Sequence, residues 1–170
     1  MTKVATGHKR RFARAFTLIE LATVLIVMGI LTLIAIPVYT QLEHQNSDQA
    51  AESQLNSAQL AGRGVAAVVG SAYQFPTDLE TQISLPQPLS PTSGASTGVN
   101  QISIYEISST QAVFAVKSGS GNCLILYDPL GGTSTWGVSS TGTCSAQGAS
   151  GLIGSITGNR TTPSVVSLPV

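Results

Sequence analysis

One carboxylate in this chain stands where carboxylates rarely do. Glu20 lies inside the apolar run Phe16 to Tyr39 (FTLIELATVLIVMGILTLIAIPVY), which carries no other charge. A charge deep in a bilayer costs about 2.5–3.5 kcal/mol on insertion scales, so it calls for a partner or for a place near the wet interface. The other residues with chemical potential are few. Cys123 and Cys144 are the two cysteines. The histidines are His8, near the start, and His44, just past the apolar run, so the region beyond His44 offers no Ser/His/Asp or Cys/His arrangement and no zinc set. After Glu106 the only acid is Asp128. A calcium ion there would need mainly carbonyl oxygens. Ser118-Gly119-Ser120-Gly121-Asn122 fits a hairpin turn better than a phosphate cradle. Glu43, His44 and Asp48 share a helical face and read as solvated polar residues. No enzyme chemistry and no cofactor is expected.

The elements that position Glu20 are a basic segment and a long apolar one. Lys3, Lys9, Arg10, Arg11 and Arg14 precede Ala15, and the apolar run that follows is long enough to cross a hydrocarbon layer of roughly 30 Å as a helix. A secretory signal peptide also begins basic and apolar, but its core is shorter and ends in a small-residue site. Here Ile36, Pro37 and Val38 follow instead. A plain signal anchor accounts for the span and, by the positive-inside rule, for a cytoplasmic basic end. It leaves Glu20 without a role.

The segment from about residue 9 to residue 40 resembles the N-terminal signature of type IV pilins and pseudopilins. That resemblance implies cleavage by a prepilin peptidase between Ala15, where the family usually has Gly, and Phe16. It also implies N-methylation of the new Phe16 amine and an assembly salt bridge from Glu20 to the Phe16 amine of a neighbour. The implied partners are other copies of the chain, the peptidase, an assembly platform and membrane lipid. The expected product is a structural subunit of a pilus-like filament at the cell surface. A pseudopilin of a secretion or DNA-uptake machine shares the same signature and stays open as an alternative. The resemblance further implies a helix break in the filament between Gly29 and Pro37. Both positions are weak in a helix, Pro37 by about 3 kcal/mol and Gly29 by about 1 kcal/mol.

Charge supports this division of the chain. Five of the eight Lys and Arg residues precede Phe16, leaving Arg63, Lys117 and Arg160 against eight acids, a net of −5. Nucleic acid, which needs a basic face, is not expected as a partner. Cys123 and Cys144 would lie outside the cytoplasm, where disulfides persist, and are expected to be bonded.

The predicted architecture is α+β, a long N-terminal helix on a small antiparallel β-meander head. Residues 1–15 are the leader, 16–39 the membrane and assembly helix, and 40–70 its continuation. The continuation carries a stripe at Ala51, Leu55, Ala58, Gly62, Val65 and Val69, spaced by four and three, that a head would cover. A separate helix after a break near Pro37 is the alternative; a continuous one is about 80 Å long. Residues 71–100 form a Pro- and Ser-rich connection, with a helical turn near Thr77. Residues 101–144 carry strands at Gln101–Ser108, Ala112–Lys117, Cys123–Tyr127 (the most apolar, hence central) and Thr133–Val138. For residues 145–170, two strands (around Leu152–Ile156 and Val165–Leu168) and a loose tail fit equally well. Asn159-Arg160-Thr161 matches an N-glycosylation sequon.

Overall fold

The computed structural model describes residues 16–68, 70, 73, 85, 86 and 88–170. Ala15, Val69 and the turn near Thr77 lie outside the described residues. Helix α1 spans Leu18–Val68, and Pro37 is an internal residue of it. The chain divides into two compact units, Met1–Thr40 and Gln41–Val170. In the first, α1 is apolar and long enough to cross a membrane, and none of its apolar window is buried.

In the second unit, α1 buries Ala51, Leu55, Ala58, Gly62 and Ala66, with Val65 partly buried beside them. The small residues let the backbone approach the sheet closely, and Leu55 supplies the bulk. That sheet has six strands in sequence order: β1 (Ser90–Thr92), β2 (Gln101–Ser108), β3 (Gln111–Lys117), β4 (Cys123–Pro129), β5 (Thr135–Ser139) and β6 (Ser164–Val165). β2 to β5 are antiparallel, the expected meander with β4 inside it. The edges depart from a pure meander. β1 joins β2 in parallel from within the stretch read as an irregular connection, and β6 joins β5 in parallel from within the tail.

Both faces of the sheet are covered, and this explains the near-continuous apolar runs of β3 and β4. One face, with Ile102, Ile104, Phe114, Val116, Leu124, Leu126 and Trp136, packs in the α1 core. The other, with Val113, Ala115 and Ile125, packs in a second core built by residues after 140. There the chain forms a short helix α2 (Ala146–Ser150), a 3-10 turn at Ile153–Ser155, and β6. The C-terminal region is therefore neither a loose tail nor a pair of strands of its own. It is a second layer over the sheet, which buries Ala146, Ala149, Ile156, Val166 and Leu168. Ser145 starts α2 by accepting a hydrogen bond from Gly148 N–H, and buried Ser103 in β2 accepts one from Ala146 N–H at 2.9 Å. Gly142 has a positive φ of 78°, and a Cβ there would lie 2.2 Å from the Leu168 carbonyl oxygen, so the layer closes only over glycine.

Cys123 and Cys144 are disulfide-bonded, with Cα atoms 5.4 Å apart. The bond ties the first residue of β4 to the start of the C-terminal layer. Closing a loop of this size stabilises by about 3 kcal/mol in the chain-entropy account.

Two leucines of α1 test which face is buried. Leu55 is 0% exposed and Leu60 is 71% exposed. In urea denaturation of the head, Leu55→Ala is expected to cost about 2–5 kcal/mol, and Leu60→Ala to stay within about 0.5 kcal/mol of the parent.

Candidate functional site

Glu20 sits in the first turn of α1, exposed to the surroundings. The helix begins there for a local reason. Thr17 precedes it, and its hydroxyl and carbonyl oxygens accept from Glu20 N–H at 3.3 and 3.1 Å. This is half of a capping arrangement, and Thr-x-x-Glu is its sequence signature. A carboxylate in the first turn also faces the positive end of the helix dipole. Phe16, four residues before Glu20, is exposed too. Cleavage before it would place a cationic amine at the same helix end as the carboxylate. Ala15, on the other side of that bond, lies outside the described residues.

Gly29 and Pro37 are internal to α1, and both are exposed. Threonine hydroxyls bond to the backbone around them. Thr32 Oγ1 donates to the Met28 and Gly29 carbonyls at 2.9 Å, and Thr40 Oγ1 to the Pro37 carbonyl at 3.1 Å. Such back-bonding keeps the threonine hydroxyls satisfied within the apolar segment, but leaves the Leu33 carbonyl, which Pro37 has no N–H to meet, without its ladder partner.

A second site was not legible in the sequence. Asp128, in β4, is fully buried at 0% exposure. Arg63 of α1 forms an ion pair with it, from Nη2 to Oδ1 at 2.5 Å and Nε to Oδ2 at 2.9 Å. Tyr73 Oη donates to Oδ2 at 2.6 Å, Gln59 Nε2 to Oδ1 at 2.8 Å, and Ser134 Oγ to Oδ1 at 2.6 Å. Burial alone would push this carboxyl up. The hydrogen bonds from Arg63, Ser134, Tyr73 and Gln59 outweigh it and hold Asp128 below the ordinary value of 3.8. Tyr73 moves the other way. Burial first, then its bond to the Asp128 anion, keep the phenol protonated beyond its ordinary value of 10.0. With both carboxylate oxygens occupied by donors, the arrangement is a structural clamp between α1 and β4.

Asp48 differs from the solvated residue its sequence context suggests. Its Oδ1 accepts from Ser118 and Ser120 hydroxyls at 2.6 and 2.5 Å, and its Oδ2 from Asn122 Nδ2 at 3.1 Å. The β3–β4 turn is thereby fastened to α1. No group of three or more metal-ligating side chains occurs among the described residues.

No protein-family model, curated protein or solved structure matches the chain.

The clamp yields an asymmetric expectation. Asp128→Asn leaves Arg63, 43% exposed at its side chain, able to turn to water. Arg63→Met leaves a buried carboxylate without its cation, which costs about 3–5 kcal/mol, and should be the worse variant at neutral pH. A depressed folded value means that Asp128 stabilises above the usual carboxylate range, and that this stability is lost as pH falls through 3.8 and below. The Arg63→Met penalty should therefore shrink as pH drops from 7 towards 3. Half-buried Glu106 is raised by burial and acts in the opposite sense in both proteins. The readout is accordingly the difference between parent and variant melting curves across that pH range. A penalty independent of pH would contradict the clamp.

Proposed function

We propose that this chain is a structural subunit of a type IV pilin-like filament. The leader is removed between Ala15 and Phe16, and the amine so created is N-methylated. The first part of α1 holds the subunit in the membrane with the head outside the cytoplasm. Assembly then transfers that segment from lipid to the company of its own copies.

The observation that carries this reading is the unburied apolar segment of α1 with Glu20 at its head. Leu18, Leu33 and Ile36 are 89%, 75% and 64% exposed. Burying a side chain of this kind stabilises by about 1.5–3 kcal/mol, so a row of them must sit in lipid or against like surfaces. Lipid alone satisfies the apolar residues but offers Glu20 no cationic partner. A neighbouring subunit's Phe16 amine satisfies it. The disulfide-tied head suits an existence outside the cytoplasm.

N-terminal mass analysis of membrane and assembled material is expected to find Phe16 as the first residue. Met1 retained in assembled material would overturn the reading. Glu20→Ala should enter the membrane normally, since a charge has been removed, yet give few or no filaments. Normal filament numbers from this variant count against the salt bridge. Electron microscopy also separates the alternative: a short periplasmic assembly in place of long surface filaments identifies a pseudopilin.

The helix itself gives a further test. In a lone subunit the backbone of the span must be satisfied internally, and α1 is helical through Gly29 and Pro37. Among packed copies the freed carbonyls are shielded from lipid, so unwinding becomes tolerable. Each residue that unwinds lengthens the chain by about 1.8 Å. A filament reconstruction that resolves the backbone should show a break between Gly29 and Pro37. A regular α-helix throughout that stretch would disprove it.

A further inference from the structure

We propose that Asn159 is an N-glycosylation site, whose side-chain amide receives an oligosaccharide from a polyprenyl-pyrophosphate donor. The motif Asn159-Arg160-Thr161 is the only Asn-x-Ser/Thr sequon in the chain. It lies in an exposed loop between the Gly158 bridge to Trp136 and strand β6. Asn159, Arg160, Thr161 and Thr162 are all exposed.

The geometry of the amide favours this use. Asn159 Oδ1 accepts from Thr161 N–H at 3.0 Å and Thr162 N–H at 2.8 Å, and from the Thr161 and Thr162 hydroxyls at 2.8 and 2.9 Å. Backbone N–H groups can only donate, so they fix which end of the amide faces the loop. The oxygen is turned inward and Nδ2 outward. The sequon hydroxyl of Thr161 already lies against the acceptor amide. The base of the loop is fixed by Trp136 N–H donating to the Gly158 carbonyl at 2.8 Å. Beyond it, Arg160 reaches Glu52 of α1 at 3.4 Å in an exposed pair, and such pairs contribute about 0–1 kcal/mol.

The transfer balances without redox chemistry. Asn159 Nδ2 attacks the anomeric carbon of the donor sugar, and the N–C bond forms. The bond from that carbon to the pyrophosphate oxygen breaks, and its electron pair leaves with the lipid pyrophosphate. The amide loses one proton to a base of the membrane oligosaccharyltransferase. The proposal rests on the head lying outside the cytoplasm, where lipid-linked donors are used, and not on filament assembly. A glycan here is bulky and solubilising, and would cover the loop beside the β6 edge.

The test is peptide mass mapping of the full-length protein, purified from the cells that make it, alongside Asn159→Gln, Thr161→Ala and Thr161→Ser. The peptide containing Asn159 should be heavier than its sequence by a glycan mass. Enzymatic release of the glycan in heavy-oxygen water should convert Asn159 to labelled Asp. Thr161→Ser should keep the modification; Thr161→Ala and Asn159→Gln should lose it. Since the peptide is read after denaturation, loss in Thr161→Ala with retention in Thr161→Ser separates acceptor chemistry from a folding defect. An unmodified Asn159 peptide from the parent overturns the proposal, as does a modification that survives Thr161→Ala. Neither result touches the N-terminal processing on which the filament reading stands.

Discussion

The buried carboxylate of Asp128 constrains everything packed on the α1 side of the head. An isolated charge at such a site would cost several kcal/mol, so it is tolerated only where its donors converge. Those donors come from three places: Gln59 and Arg63 on α1, Tyr73 beyond the helix, and Ser134 just before β5. Sliding α1 by one turn along the sheet would carry Gln59 and Arg63 away by about 5.4 Å and leave the charge unanswered. Apolar contacts alone would not fix that register. The buried stripe is largely alanine and glycine, with one leucine, and a surface so smooth can slide with small loss. Asp48, bonded to the β3–β4 turn, adds a second polar fastening further back along the same helix. Gln54, which donates to Asn100 Oδ1 at 3.0 Å, adds a further link, and such polar anchors favour one register on a smooth stripe.

The sheet faces a different constraint on its other side. Strands buried on both faces need two covering layers, and the N-terminal helix supplies only one. The second comes from a segment dominated by Gly, Ser and Thr, which has little apolar surface to offer. It succeeds because five of its apolar residues, Ala146, Ala149, Ile156, Val166 and Leu168, are buried against the sheet, with Leu152 packed partly beside them. Serines make up the rest. Ser103 and Ser139 are buried and bond to the backbone of the covering segment. The disulfide to Cys144 begins the layer at a fixed point. Low hydrophobicity is thus compensated by a covalent start and a set of short-range polar contacts.

These constraints explain what could be read from the chain and what could not. The stripe on α1 and strand β2 were legible because each repeats at its own period, 3.6 or 2, while β3 and β4 stood out as short β-rich apolar runs next to glycine turns. Their burial followed from pattern alone. The covering layer was not legible, since Gly/Ser/Thr composition is shared by loose tails and by close-packed irregular segments. β1 and β6 are three and two residues long and have no period to detect. The Arg63–Asp128 pair spans 65 positions, and a lone acid beside a proline carries no sign of its partner. One signal was present. Arg63 is the one charge in an otherwise small and apolar stretch, Ala61 to Val68, on the segment expected to carry the head. Asp128 was the only acid in the sequence beyond Glu106. Of the proposed assembly site, the sequence carries both Glu20 and its cap signature, Thr17-Leu18-Ile19-Glu20, at the very start of the apolar run.

The two halves of α1 meet opposite demands with one helical backbone. The half up to Thr40 has an apolar surface all round, with polar groups confined to its ends and to threonines bonded back to the main chain. The half from Gln41 has one narrow apolar stripe and a polar remainder. A helix suits both because its backbone is satisfied within itself, in lipid and in water alike. Pro37 falls close to the junction, where the missing N–H frees the Leu33 carbonyl. A proline deeper in the polar half would disturb the contacts that register Gln59 and Arg63 against Asp128. Nearer Glu20, it would break the turn on which the carboxylate is presented. Between these limits lies a stretch whose side chains touch neither the buried clamp nor the helix start. It is in this stretch that the chain places Gly29 and Pro37.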